Sequence, residues 1–465
     1  MKTALVSLMI ISCSTGVSDT SESVVCDSQT SPTKCIASSA QCSLTDFSDN
    51  LQAATNACRE VIIDSGVWLI TVESPTRRSI DLHSSITCRK GAQIRFAGDA
   101  LGRDWVGLFI GPNQNDIRIT GCEFDGNDVV GTNEHSPLIQ VRGPNTNTRI
   151  DHNVFWYPDV PSAKRGDCVQ NIGYPENQYI ENIRVDHNTF HECARVGVAF
   201  HSGTRGRIDH NSFEDTGRAA DLDGEGSGFN TLEIDHNKVG IGPHTTSILA
   251  LNIQADSGHR IHDNVFNKGI NLYGCADCEL ADNVVSFMQL STGPVLGVYK
   301  NSPNLTSHDN AFSRDTSALP GFVVHVARKG LSSPASVVFQ DDTLSQATQW
   351  TALQSLGIDG LKLDRCEVQT VAESWPLWDA EGIGARTTNL EINNSIFGGS
   401  FASAMTVSGS YQGTGTVIIT DSTAVSNVQK AVGLSCLSPT ASSGITGPIV
   451  FQRSDWPRNM CPLLP

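Results

Sequence analysis

The sequence predicts an all-β solenoid. Two observations carry that prediction: a phrase repeated at a short, regular step, and strand-length apolar alternation between the copies. Nearly the same phrase occurs five times, as RIDHNVF from Arg149, RVDHNTF from Arg184, RIDHNSF from Arg207, EIDHNKV from Glu233 and RIHDNVF from Arg260. Blurred copies flank them, including RITGCEF from Arg118, ELADNVV from Glu279, LKLDRCEV from Leu361 and EINNSIF from Glu391. With the Asn or its stand-in as marker, the positions are 122, 153, 188, 211, 237, 264, 283, 310, 342, 366, 395 and 422. The mean step is roughly 27 residues, which is the range of a stacked repeat. Each repeat then needs only its neighbours to bury its apolar face, so 465 residues need not divide into several domains.

Within RIDHNVF the apolar residues are Ile150, Val154 and Phe155, with Asn153 between two short strands. Asn tolerates the left-handed backbone of a sharp corner, so Asn153 is expected to turn it. Its side chain is expected to bond the equivalent Asn one coil away, about 4.8 Å distant in a parallel stack. A third strand lies upstream in each coil: GVAFHSG from Gly197, AADLDG from Ala219, ILALNIQ from Ile248, GINLYG from Gly269 and VLGVYK from Val295. These runs alternate, so one set of side chains should face the core and the other water. The recurring Asp151, His152, Asp186, His187, Asp209, His210, Asp235 and His236 suggest a metal ladder. A position repeated on every coil is better explained by the needs of the corner itself.

Three short strands per turn with Asn at a tight corner resemble the right-handed parallel β-helix of the pectin-lyase-like superfamily. The opening agrees. DFSDNLQAATNAC at 46–58 is an amphipathic helix candidate, followed by EVIIDSGVWLI and SIDLHSSITCRKGAQIRF. These segments look like that family's N-terminal cap helix and first coils. The resemblance covers roughly residues 45–430 and implies about 12 coils. It implies a fold and leaves the activity open, because this scaffold hosts lyases, hydrolases, epimerases, tailspikes and adhesins.

The expected organisation is an export signal at 1–13, a Cys/Ser/Thr-rich linker at 14–44, the β-helix at 45–435 and a C-terminal capping tail at 436–465. Lys2, the apolar run Ala4–Ile11 and Ser12-Cys13 read as the signal. Ile10-Ile11-Ser12-Cys13 resembles a bacterial lipobox in which Cys13 would carry a lipid anchor, and plain secretion is the alternative. Either way the chain is expected to be extracytoplasmic, and 14 cysteines fit an oxidising compartment. Cys275-Ala-Asp-Cys278 is expected to be a structural disulfide or two buried thiols, because nothing nearby completes a metal or redox motif. Asn304-Leu-Thr and Asn393-Asn-Ser are formal glycosylation sequons. A formal charge of −17 argues against nonspecific nucleic-acid or anionic-membrane binding, so a lipid at Cys13 is the one membrane link expected.

Function should lie where costly residues break the pattern. The resemblance implies a groove along the first sheet, the one built from the upstream strands. Placing Val198 and Phe200 in the core puts Ala199 and His201 outside. The same alternation gives an outward row of Gln140, Arg142, Cys168, Gln170, His201, Asp221, Asp223, Asn252, Gln254, Asn271, Tyr273, Tyr299 and His325. Amides, aromatics, acids and His are the groups that hydrogen-bond and stack on sugars. Arg142, Lys164, Arg165, Arg195 and Arg218 cluster on or before four successive first-sheet strands, which suits an anionic partner such as a uronate polysaccharide.

The densest spot is Asp221-Leu-Asp223-Gly-Glu225-Gly. Alternate residues of a strand share a face roughly 6.5–7 Å apart. That overlaps the separation of about 6.5–9.5 Å expected for an inverting glycosidase. Asp221, Asp223 and Glu225 would also suit calcium, which takes oxygen ligands in flexible number. His201 is expected one strand spacing from Asp223.

Three functions are consistent with these residues. A polysaccharide lyase needs a neutraliser for the uronate carboxylate and a base, with calcium or Arg as the first and Lys164, Arg195, Arg218 or His201 as the second. A glycoside hydrolase would use Asp221 with Asp223 or Glu225. The polygalacturonase pattern of this fold is not matched, because no adjacent Asp-Asp occupies a first-sheet strand. A non-catalytic glycan-binding or adhesion solenoid is the third, and the lyase is preferred.

Overall fold

We examined the protein as a computed structural model. It describes residues 9–11, 35–37 and 46–456, apart from 72–77, 98–105, 128–135, 157–165, 174–178, 194, 224–227, 243–246, 255–256, 289–291, 301, 316–317, 320, 328–334, 349, 357, 375–377, 382–387, 402, 409–416, 429–430 and 438–448. The described residues form a parallel β-solenoid with three long parallel sheets and one helix near the N-terminus. It forms two compact units. The first comprises residues 1–221, 225–229 and 241–247, and the second comprises 222–224, 230–240 and 248–465.

In the first unit, strands such as Ile139–Arg142, Asp167–Ile172 and Val196–Phe200 build the first sheet. Arg149–Asp151, Arg184–Asp186 and Arg207–Asp209 precede the corner and build the second. Val154–Trp156, Thr189–His191 and Ser212–Glu214 follow the corner and build the third. Asn145–Thr146, Ile180–Glu181 and Ser202–Thr204 add a short fourth ladder to these three coils. The coil count departs slightly from the expected twelve. In the third sheet, for example, Gly66–Thr71 and Ala92–Ala97 precede the first marker, Cys122.

Exact repetition in register lets like residues stack. Phe155, Phe190 and Phe213 lie in the core with centroids 4.8 and 4.7 Å apart, matching the strand spacing of a parallel sheet. Such pairs add about 0.5–1.5 kcal/mol beyond the area they bury. The marker amides form the expected ladder. Asn153 N–H donates to Asn188 Oδ1 (2.9 Å), and Asn188 N–H donates to Asn211 Oδ1 (3.0 Å). Each amide nitrogen also donates to a carbonyl of the preceding coil, as Asn188 does to Ile150 (2.9 Å).

The left-handed residue is not the Asn, as the sequence suggested, but the residue before it. His152, His187 and His210 each have φ of 55°, whereas the Asn is buried. The interior position needs the amide for the ladder, so the exposed neighbour takes the strained backbone. His152 Nδ1 bonds the preceding Asp151 (2.7 Å), and His152, His187 and His210 stack at 4.9 and 4.8 Å.

The Asp of the motif serves the preceding coil as well. Fully buried Asp151 accepts both Nε and Nη2 of Arg118 (2.7 and 2.6 Å), Asp186 accepts Arg149, and Asp209 accepts Arg184. Burial opposes ionisation of Asp151, but bonds from Arg118 and His152 outweigh it and hold its carboxyl down at about 2. Asp186, His187 and Asp209 place ligand atoms within 4.8 Å of one another. Their carboxylates are already bonded to Arg149 and Arg184, so corner chemistry accounts for the motif.

The helix Ser48–Ala57 buries Leu51, Ala54 and Thr55. Gln52 Nε2 donates to Asp81 O and its Oε1 accepts Asp81 N–H, both at 2.8 Å. This amide copies a neighbouring strand and covers the open edge of Arg78–Leu82, an edge that would otherwise invite pairing with another chain. Beside Val61–Ile63 lies Cys35–Ala37, which pairs in turn with Met9–Ile11. Disulfides join Cys88 to Cys122, Cys168 to Cys193 and Cys275 to Cys278, as suits an oxidising compartment. Cys366 is a buried free thiol.

Candidate functional site

In the first unit the outward row of the first sheet is buried rather than open to water. Gln140 is 8% exposed, Gln170 0%, His201 6% and Asp221 4%. All five residues of Val196–Phe200 are buried. The alternation separates apolar from polar side chains here, but not dry from wet, because the outward groups bond each other across coils. Gln140 stands opposite Gln170, and its Nε2 donates to Gln170 Oε1 (2.8 Å). Gln170 Nε2 donates in turn to Asp167 Oδ2 (3.2 Å) and lies 3.5 Å from His201 Nε2.

Asp167 is one residue that sequence reasoning missed. It is fully buried and receives Arg195 bidentately, through Nε at 2.8 Å and Nη2 at 2.5 Å. The disulfide Cys168–Cys193 joins the residue after Asp167 to one two places before Arg195, so it staples the pair together. The pair spans 28 positions, and no local periodicity announces it. An unexplained acid at the start of a first-sheet strand would have been the available signal. Asn171 was also missed. Its Oδ1 accepts His201 N–H (2.7 Å) and its Nδ2 donates to Ser202 O (3.2 Å), which fixes the corner bearing His201.

Arg195 and Arg218 hold corresponding places on successive coils: Arg195 N–H donates to Gly166 O, and Arg218 N–H donates to Arg195 O (3.1 and 2.8 Å). Each guanidinium is clamped by its own acid, since Arg218 Nη1 meets Asp221 Oδ2 at 2.5 Å. Asp221 is almost fully buried while the Arg218 side chain is a third exposed, so the charge presented outward is positive. Arg142 ends the strand Ile139–Arg142 opposite Ile172.

Lys164, Arg165 and Glu225 lie outside the described residues. Asp223 ends the strand Arg218–Asp223, but its side chain, and with it the expected approach to His201, lies outside them too. For the calcium reading, Asp221 already holds a cation in Arg218 and is the one member of the proposed ligand set whose side chain is described. No step is assigned to a dication.

The other expected binding residues fall in the second unit. Asn252 pairs in register with Asn271 and Gln254 with Tyr273; Asn271 then pairs with Gly297 and Tyr273 with Tyr299. The rings of Tyr273 and Tyr299 stack on each other at 4.6 Å and 22°, so the faces expected to carry sugar are turned to one another. Burial, and then the neighbouring Tyr273, raise the Tyr299 phenol above its ordinary value. His325 meets the Tyr299 ring edge-on at 5.5 Å, and burial drives its imidazole down to about 4.

No protein-family model and no curated protein matches the chain. Among solved structures it is similar to a tailspike protein variant of E. coli bacteriophage HK620 in complex with pentasaccharide. That match has a TM-score of 0.61 at 12% identity and covers 87% of this chain and 77% of the other. It is also similar to the Azotobacter vinelandii mannuronan C-5 epimerase AlgE4 A-module, at TM-score 0.40 and 11% identity over 90% of this chain and 94% of that one. At this identity the tailspike likeness establishes the shared solenoid fold.

Proposed function

We propose that the chain is an exported enzyme that acts on an acidic polysaccharide by β-elimination, at the first-sheet cluster of the first unit. The observation that carries this reading is the pair of arginines at equivalent places on successive coils, each oriented by a buried carboxylate, with His201 linked to the Asp167 clamp through Gln170. Preorganised cations of this kind favour a ligand whose charge grows during reaction. The similar tailspike was solved with a pentasaccharide, which agrees with a glycan as ligand.

In this reading Arg218 faces the uronate carboxylate and Arg195 holds the sugar in place. Both are clamped to acids, which makes them poor proton acceptors and leaves His201 as the base among the described candidates. His201 takes the proton from the carbon bearing the carboxylate. The electron pair forms the new carbon–carbon double bond, the glycosidic carbon–oxygen bond on the neighbouring carbon breaks, and the leaving oxygen takes a proton from water.

A second reading is hydrolysis, favoured by Asp221 and Asp223 standing at alternate positions of one strand. Digestion of a panel of uronate, sulfated and neutral polysaccharides separates the two. Ultraviolet absorbance of unsaturated termini marks elimination, whereas reducing ends without it mark hydrolysis. Product formation that survives Arg218→Ala and His201→Ala undiminished would remove the site assignment.

A further inference from the structure

The outward row of the first sheet in the second unit reads Asn252, Asn271, Gly297, His325 and Gln354 on successive coils. Four of these carry polar side chains and Gly297 leaves a gap. A Cβ built on Gly297 would lie 2.4 Å from Tyr299 Cε2, 2.8 Å from its hydroxyl and 2.6 Å from Asn271 Oδ1. The phenol of Tyr299 therefore lies across the gap. It does not satisfy the groups beside it: Asn271 Oδ1 and His325 Nε2 are both buried without a hydrogen-bond partner. Buried polar atoms are normally paired, so two orphans flanking one gap call for a ligand.

We propose that Gly297 opens a hydroxyl-binding slot, walled by Asn271 and His325 and closed by Tyr299, that receives a neutral sugar unit of a glycan. The ligand class follows from the donors and acceptors. A carboxamide offers one acceptor and one donor end, and a neutral imidazole offers one of each. A sugar hydroxyl both donates and accepts, so it satisfies either group in either orientation. A carboxylate or sulfate only accepts and an ammonium only donates. Burial keeps His325 neutral, which removes the cation an anionic sugar would need.

The wall behind the slot is fixed. Phe322 packs against His325 at 5.1 Å, and buried Arg314 ties the adjoining turn by donating to the carbonyls of Leu319 (2.8 Å), Gly293 (2.6 Å) and Phe322 (3.3 Å). In this proposal Tyr299 is the movable part, because its ring and hydroxyl fill the space beside Gly297 and would have to swing aside for a ligand. The slot rests on the reading that this solenoid binds polysaccharide, but not on the chemistry assigned to Arg195, His201 and Arg218.

Calorimetric titration of the full chain with neutral gluco-, manno- and galacto-hexasaccharides, and with oligouronates of the same length, tests the slot. At least one neutral hexasaccharide should bind. Asn271→Ala and His325→Ala should each weaken it about tenfold or more, the scale of one lost hydrogen bond. Gly297→Ala should abolish it by filling the gap, and Tyr299→Ala should leave it unchanged or tighter. Thermal unfolding of each variant shows whether it is folded, and Asn271→Gln is the milder substitute if Asn271→Ala is not. No neutral binding, binding indifferent to Asn271 and His325, or a Tyr299→Ala loss as large as theirs would each overturn the slot. If oligouronates bind while neutral sugars do not, the slot fails and the acidic-polysaccharide reading stands. If neutral binding persists in Arg195→Ala and Arg218→Ala and no polysaccharide is cleaved, the slot stands and that reading fails.

Discussion

Asn310 donates both its backbone N–H and its side-chain amide to one oxygen of Asp342, at 2.8 and 2.9 Å, and leaves the other oxygen of Asp342 buried without a partner. An acid here stands in a ladder of amides. Asn264 is followed by Asn283, then Asn310, each accepting from the one before. Burial, only partly offset by the bonds from Asn310 and Ser307, pushes the Asp342 carboxyl up from 3.8 to about 6.

A raised folded value means the folded chain holds its proton more tightly than the unfolded chain. The stability from that proton is complete below about 3.8 and is lost as the pH rises through about 6. Asp342→Asn should therefore stabilise the protein at pH 7, by on the order of 2–3 kcal/mol at most. The new amide can donate to the Ser307 carbonyl, as Asn310 does to Leu280 (3.0 Å). Denaturant unfolding at pH 4 and pH 7 checks this, and the variant's advantage should vanish at the lower pH.

Two histidines act in a separate pH window. His262 lies between Glu233 (2.9 Å) and Asp263 (2.8 Å), and His308 lies between Glu279 and Asp309, both at 3.0 Å. Burial opposes protonation of His262 but is outweighed by Asp263 and Glu233, while Glu279 is the main cause for His308, so both are raised. Their contribution is complete below 6.5 and is lost as the pH rises through the folded values. Melting temperature should fall between pH 6 and pH 8.5, and the double variant His262→Gln, His308→Gln should flatten that fall.

Gly197 makes room for the phenylalanine stack. A Cβ there would lie 2.5 Å from Phe213 Cε1 and 3.0 Å from Ala219 O. Gly197→Ala should cost about 1–3 kcal/mol through overpacking, read as a lower denaturant midpoint. A cost below the error of that measurement would show that the ring can shift freely.

Asp167→Asn should leave the fold in place, because the Cys168–Cys193 disulfide still holds the two segments, but Arg195 would lose its counter-charge. The expected result is a fall in kcat of about tenfold to a hundredfold with a smaller change in KM, the signature of lost positioning rather than lost binding. An unchanged kcat would remove Arg195 from the site.

The repeated DHN phrase made the solenoid legible, because one corner solved once is written again on every coil. It also gave the amide ladder. It did not reveal which residue bends, since His152 and Asn153 are both compatible with a left-handed backbone and burial decides between them. The cluster was legible as a row of polar residues including Gln140, Gln170 and His201. Asp167 was not, because its ion pair with Arg195 joins different coils. The facing of Tyr273 on Tyr299 was equally hidden. Alternation says which side of a sheet a ring occupies, and only register says what covers its face.

The most direct measurement is product analysis on acidic polysaccharides with the native chain, Arg218→Ala and His201→Ala. The account predicts unsaturated sugar termini from the native chain and a loss of at least about a hundredfold in each variant, the scale of a lost general base or charge stabiliser. Unsaturated product formed equally well by both variants, or no product from any acidic polysaccharide, would contradict it.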